Sequence, residues 1–226
     1  MTTTLHYEIL PKSQQGLWAE LGPVSQFGFV LYGGTAIALQ LEHRTSLDFD
    51  FFTSCDFEKT KLLGMLPARA RGAIVQDERN TLSLKTEEGV HLSFFGGIGI
   101  GRLGRPVVDR KYGIQLACLE DLLALKLAVV TQRAQWKDYF DMAALLRAGL
   151  SLADGLAGAR ALYGSAFAPR AALQALTFFE DGDLGRLAVK DREELVRAVQ
   201  QVRALPEKEI VSASLYDASQ DGAMEY

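Results

Sequence analysis

Cysteine and histidine are scarce in this chain of 226 residues, and no long hydrophobic run or field of one charge sign marks it. Cys55 and Cys118 stand far apart, with no C-x-x-C. That excludes a disulfide framework and a Cys-rich zinc site, and it fits a reducing compartment. His6, His43 and His91 show no H-x-x-x-H spacing, which argues against a zinc protease. Apolar runs stay well short of the roughly 18 residues that a membrane helix needs. The opening MTTTLHYEIL has neither a basic region nor an apolar stretch of signal-peptide type. A soluble, cytoplasmic protein with no membrane partner is expected. The net charge of −4 resides at the end of the chain, where Lys208 faces Glu207, Glu209, Asp217, Asp221 and Glu225. The remaining body is neutral, so no global basic field advertises nucleic acid. Apolar residues at 48% and charged residues at 23% are ordinary globular usage, which excludes a mainly disordered chain.

What is present divides in two. Residues 12–21 have the spacing of a short amphipathic helix. FGFVLY (27–32) reads as a strand, 33–44 as a helix opened by glycines, and SLDFDFFT (46–53) as a strand of period 2. Residues 57–66 read as a helix stopped by Pro67. Strand-like pieces follow at 73–76, 81–86 and 90–96, then a Gly- and Arg-rich loop to Lys111 with a short strand at Val107-Val108. Beyond residue 113, β-branched residues thin out, and helices are predicted over 116–134, 136–149, 152–163, 168–180 and 190–204. The expected fold is α+β: a mixed sheet with flanking helices over 1–113, a helical domain over 114–215, and a frayed tail over 216–226.

The stretch from 27 to 52 carries the chemistry. A strand runs into Gly33-Gly34-Thr35, a helix starts there, and a second strand presents Asp48 and Asp50. Two glycines permit positive φ and close approach of a ligand. The helix start aims free N–H groups and a positive dipole end at that ligand, which suits phosphate. Residues i and i+2 of a strand share a face, so Asp48 and Asp50 point together while Phe49 and Phe51 point to the core. Two adjacent carboxylates repel unless a cation lies between them. Oxygen ligands favour a hard ion, Mg²⁺ or Mn²⁺.

GGTAIALQLEHRTSLDFDFF resembles the signature of the AbiEii/AbiGii toxin family of nucleotidyltransferases, within the polymerase-β-like nucleotidyltransferase superfamily. Two later segments, LEDLLALKLAVVTQRAQWKDYFDMAALL (119–146) and LQALTFFEDGD (173–183), are similar to helical elements of that family. The resemblance implies a mixed-sheet nucleotidyltransferase domain followed by a helical domain. It implies transfer of a nucleotidyl group from an NTP to an RNA or protein acceptor, and, as in some members, a toxin opposed by an antitoxin. Gly33, Gly34 and Thr35 then cradle phosphate, and Asp48 and Asp50 hold metal. Lys126 matches the lysine of the helical motif, and Arg133, Lys137, Asp138 and Asp141 match its R-x-x-x-K-D-x-x-D. On their own chemistry these residues leave an ion-pair ladder equally open. Lys126 lies among Leu122, Leu123, Val129 and Val130, so it either snorkels to the surface or grips triphosphate. Arg44 either neutralises the carboxylates or contacts phosphate.

One departure stands out. Where the superfamily has a third carboxylate on a later strand, this chain has Ser93, with His91 on the same face. Either another acid replaces it, with Asp138 the first candidate, or one metal suffices, or catalysis is lost. The last case leaves a degenerate nucleotide-binding or interaction module. Finally, Gly99 to Gly104 satisfies G-x-G-x-x-G, but Pro106 and Val107-Val108 follow instead of a helix, which disfavours a dinucleotide site. Arg102, Arg105, Arg110 and Lys111 in that loop, offset by Asp109, form a local basic patch of the kind that steers polyanions or is simply solvated.

Overall fold

The computed structural model describes residues 4–223, without the side chains of 221–223. The chain divides into two compact units. A sheet unit comprises residues up to Gly101, Arg105–Cys118 and residues from Ser212 on; a helical unit comprises Arg102–Gly104 and Leu119–Val211.

The sheet unit holds seven strands: β1 (Val30–Tyr32), β2 (Asp48–Phe52), β3 (Ala73–Glu78), β4 (Thr81–Lys85), β5 (His91–Phe95), β6 (Val107–Asp109) and β7 (Ile114–Leu116). Their order is β3-β4-β5-β2-β1-β7-β6. The sheet is mixed: β2 runs antiparallel to β1 and parallel to β5, and β1 runs parallel to β7. Three helices accompany it, α1 (Lys12–Trp18), α2 (Gly33–Leu41) and α3 (Lys59–Met65). The α+β class expected of a nucleotidyltransferase-type fold is the class observed.

Period-2 alternation builds the core. Phe49, Phe51, Leu82, Leu84, Leu92 and Phe94 are all fully buried. Phe51 stacks on Phe94 with ring centres 5.4 Å apart, and Trp18 of α1 stacks on Phe49 at 5.5 Å. Full burial of each such ring is worth about 1.5–3 kcal/mol. The opposite sheet face carries the alternate residues Asp48, Asp50, His91 and Ser93, all half-buried.

Some elements differ from their predicted extents. The strand expected over 27–32 is only Val30–Tyr32, because Gly22–Phe27 coils as a 3-10 helix and Gly28 stops it at φ +66°. Residues 114–116, which resemble the Leu- and Ala-rich run after them, form β7 in the sheet unit. The helix expected from 116 begins at Leu119. No helix follows Gly99–Gly104; the next element is β6, so the dinucleotide pattern has no helix to serve. The frayed tail is corrected for 216–220. Leu215 is fully buried, and Gln115 exchanges two hydrogen bonds of 2.9 Å with the backbone of Asp217. Residues 224–226 lie outside the described residues.

The helical unit contains α4 (Leu119–Val130), α5 (Trp136–Arg147), α6 (Leu152–Tyr163), α7 (Pro169–Ala175) and α8 (Val189–Gln201). Ser151 caps α6 by accepting from the Asp154 N–H. A Cβ at Gly155 would meet Leu123 Cγ of α4 at 2.7 Å, so glycine sets how closely these helices approach. Among the described residues, no helix is long and apolar enough to cross a membrane.

Candidate active site

The sheet unit brings six of the predicted residues into one neighbourhood. β1 ends at Tyr32, and α2 begins at once with Gly33 at φ +72°, a left-handed conformation that glycine adopts without strain. A Cβ at Gly33 would collide with Asp50 Oδ2 and lie 3.3 Å from its Cγ. The Asp50 carboxylate therefore sits directly against the first residue of α2. A Cβ at Gly34 would collide with Arg44 Nη2 and lie 3.2 Å from Ser46 Oγ. Arg44 thus lies over the second glycine, with Nη1 donating to the Thr45 carbonyl at 3.0 Å. Thr35 is fully buried and its hydroxyl donates to the Asp48 carbonyl, tying the helix start to the strand of the carboxylates.

β2 alternates exposure as period 2 requires, with Phe49 and Phe51 buried and Asp48 and Asp50 half-buried on the other side. Parallel pairing with β5 sets His91 beside Asp48 and Ser93 beside Asp50. Register partners on adjacent strands share a face. Ser93 therefore stands where a third acid would face the pair, and Ser83 Oγ donates to it at 3.2 Å. The donor set is two carboxylates and a neutral hydroxyl. Two carboxylates at i and i+2 fit a hard divalent ion; Ser93 adds only a weak, uncharged ligand.

The helical unit places its motif differently from a row of exposed cations. Lys126 of α4 is 6% exposed, and Asp138 and Asp141 of α5 are fully buried. Lys126 Nζ lies 2.7 Å from both Asp138 Oδ1 and Asp141 Oδ2. Arg133, half-exposed, donates through Nε to Asp138 Oδ2 at 2.9 Å. Burial alone would raise the pKa of Asp138. The charge of Lys126 and the hydrogen bonds from Arg133 and Lys126 outweigh it and leave Asp138 below the usual aspartate value. Both Asp138 oxygens are engaged, so this side chain anchors Lys126 rather than standing open to a metal. Lys137 is half-buried one position away. The 173–183 segment also has a structural task. Asp183 Oδ1 accepts from the Trp136 N–H at 2.7 Å and so caps the first turn of α5, and Arg186 lies over the Trp136 ring.

The loop patch resolves into two parts. Arg102 is buried and donates to the Gly104 carbonyl in the helical unit, whereas Arg105, Arg110 and Lys111 are exposed on the sheet unit. Asp109 does not offset them at the surface. It is 2% exposed and accepts from Trp18 Nε1 at 2.8 Å and Tyr7 Oη at 2.9 Å. Tyr7, Tyr112 and Tyr216 beside the cations have no motif in the sequence, because they come from three separate segments.

A mixed sheet, a glycine-opened helix and a carboxylate pair on the adjoining strand make up an α+β fold of the class to which nucleotidyltransferase-type folds belong. Comparison with known proteins points the same way. Residues 100–209 match the family described as "Nucleotidyl transferase AbiEii toxin, Type IV TA system", the family that the first motif resembles. The matched range spans the helical motif and not the Gly33–Asp50 stretch. An uncharacterised protein of Aquifex aeolicus (strain VF5), aq_aa25, is 31% identical over 121 residues, which are 53% of this chain and 58% of that protein. The chain thus spans somewhat over half the length of that relative.

Proposed function

We propose that this chain transfers a nucleotidyl group from an NTP to an acceptor hydroxyl on RNA or protein, with Mg²⁺ or Mn²⁺, and that it acts as the toxin of a toxin–antitoxin pair. The observation that carries this reading is the seating of Asp50 against Gly33, at the mouth of a helix N-terminus and beside Asp48. A negative phosphate chain is attracted to the α2 amides and to Arg44, but it is repelled by two bare carboxylates. A divalent ion on Asp48 and Asp50 would remove that repulsion and supply charge neutralisation of the α-phosphate. The chain's own residues do the positioning. Gly33 and Gly34 admit the phosphates close to the backbone, Thr35 fixes helix to strand, and Arg44 adds a fork of donors. Within the helical unit, Arg133 and Lys137 are proposed as phosphate contacts, and Lys126 as a positioning residue held by Asp138 and Asp141. The acceptor oxygen forms a bond to the α-phosphorus, the α–β bridging P–O bond breaks, pyrophosphate leaves, and the hydroxyl proton passes to water. Positioning and electrostatics, without a covalent enzyme intermediate, account for the rate.

Thermal stabilisation by each of the four NTPs, with and without Mg²⁺, tests the site. A ligand at 100 times its Kd adds about 2.7 kcal/mol, a readily measured shift. Metal-dependent stabilisation is expected for the wild type and not for Asp48→Asn/Asp50→Asn. If no NTP stabilises the wild type, the nucleotide reading is lost. Ser93 beside Asp50 favours a second reading, a catalytically reduced module of the same fold. Ser93→Asp separates the two: transfer seen only in that variant identifies the native chain as reduced. Growth arrest on overexpression that disappears with Asp50→Asn would tie toxicity to the enzyme.

A further inference from the structure

The far edge of the sheet carries a second feature that the carboxylate site does not use. Two adjoining cavities, of about 810 and 440 Å³, share Arg105, Val108, Arg110 and Lys111 along the edge strand β6. The sheet unit alone lines both. Arg105 is 80% exposed, and Arg110 and Lys111 are exposed as well. Three tyrosines interleave with these cations. Tyr7 and Tyr112 meet edge to face at 5.9 Å, Lys111 Nζ lies 4.9 Å from the Tyr112 ring centre, and Tyr216 lines the larger cavity.

Acids at this edge are turned inward. Asp109 is enclosed by Tyr7, Trp18 and the backbone N–H groups of Lys111 and Tyr112. Asp217 is 7% exposed and accepts from Ser219 and Gln220, with Arg105 Nε 4.0 Å away. Among the described residues that line the trough, the charges presented outward are therefore positive. Rows of cations alternating with aromatic faces suit a strand whose phosphates need neutralising and whose bases stack, without sequence readout.

The trough also has a direction. Val107 pairs with Leu116, which pairs in turn with Leu31, two residues before Gly33. Arg105 thus lies toward the end of the sheet at which β1 delivers Gly33, and Arg110 and Lys111 lie at the other end. Three strand spacings, about 14 Å, separate β6 from β2.

We propose that this trough binds a single-stranded polynucleotide, laid along β6 with one end toward the carboxylates. Its role as the acceptor strand rests on the transfer reading; its binding does not. The test is fluorescence anisotropy with labelled oligouridylate and oligothymidylate of about twelve nucleotides, a length within the range such grooves cover. The variant Arg105→Ala/Arg110→Ala/Lys111→Ala should bind at least about tenfold more weakly. Its slope of log affinity against log salt should fall by about 2, since each phosphate left without its cation removes about 0.7. Tyr112→Ala should weaken binding about tenfold and leave the slope unchanged, as removal of a stacking ring does. Lys61→Ala/Arg79→Ala, exposed elsewhere on the sheet unit, should change neither. Arg110→Glu alone repeats the charge test should the triple variant unfold.

Absence of oligonucleotide binding at low salt would overturn the proposal. Equal weakening in the Lys61/Arg79 control, or displacement of the oligonucleotide by an oligoglutamate peptide at lower concentration, would overturn it too; the last outcome assigns the trough to an acidic protein segment. Strands that bind to Asp48→Asn/Asp50→Asn as to wild type, in a protein that no NTP stabilises, would uphold the trough while the transfer reading falls. NTP stabilisation without strand binding would do the reverse.

Discussion

At the scale of single residues, two glycines and one lysine have the sharpest consequences. Gly33→Ala forces a β-carbon into a left-handed backbone and into Asp50. It should cost about 1–3 kcal/mol and abolish nucleotide-dependent stabilisation, as melting curves with and without NTP would show. Lys126→Ala removes the buried cation shared by two buried carboxylates and should cost about 3–5 kcal/mol in chemical denaturation. Arg133→Ala, whose side chain is 49% exposed, should cost less than about 1 kcal/mol. The same network sets an acid limit. Asp138 has a folded pKa below its ordinary value of 3.8, so the stability it lends is complete above that value. It is lost as pH falls from there through the lower folded pKa, and Lys126→Met should abolish that part of the acid dependence. The carboxylate pair was legible in the sequence because two residues of alternation decide which way a strand side chain faces. The partners of Lys126 were not. They sit on the next helix, and a lysine among leucines reads the same whether it snorkels or is clamped from outside its own helix.

At the scale of elements, length decided what could be read. α6 is predicted over 152–163 and observed as Leu152–Tyr163, with Ser151 marking its start. α5 and α8 keep most of their predicted extents for the same reason: several turns of apolar spacing accumulate into a clear signal. β6 and β7 have three residues each, too few for any period to show. What holds that edge is Asp109, which collects Tyr7 and Trp18 from some hundred residues earlier in the chain, a convergence no local pattern encodes. Asp109→Ala leaves four donors, Tyr7 and Trp18 among them, without that acceptor. At about 1–3 kcal/mol per unsatisfied buried group, the destabilisation should appear as early unfolding monitored by Trp18 fluorescence, ahead of any change in the helical unit.

At the scale of the whole molecule, the chain leaves the sheet unit at Cys118 and re-enters it at Ser212. Leu215→Ala should therefore destabilise the sheet unit by about 2–5 kcal/mol, although the sequence groups it with the helical domain. Hydrogen exchange would locate the weakening in β7, where Gln115 meets Asp217, and not in α4 or α5. The acidic excess near the end of the chain explains why sequence misplaced this segment. Charge and low apolar content describe how residues 205–214 look, while one leucine and two backbone hydrogen bonds decide where 215–217 go. This return sets an order on synthesis. Domains close as they emerge from the ribosome. The helical unit is complete once Val211 is made, but the sheet unit still lacks its last piece. A growing chain, or one cut short before residue 212, would carry the charge clamp of the helices whole and the candidate catalytic sheet unfinished. If the toxin reading proposed above holds, that ordering would withhold activity until translation has passed the final turn back.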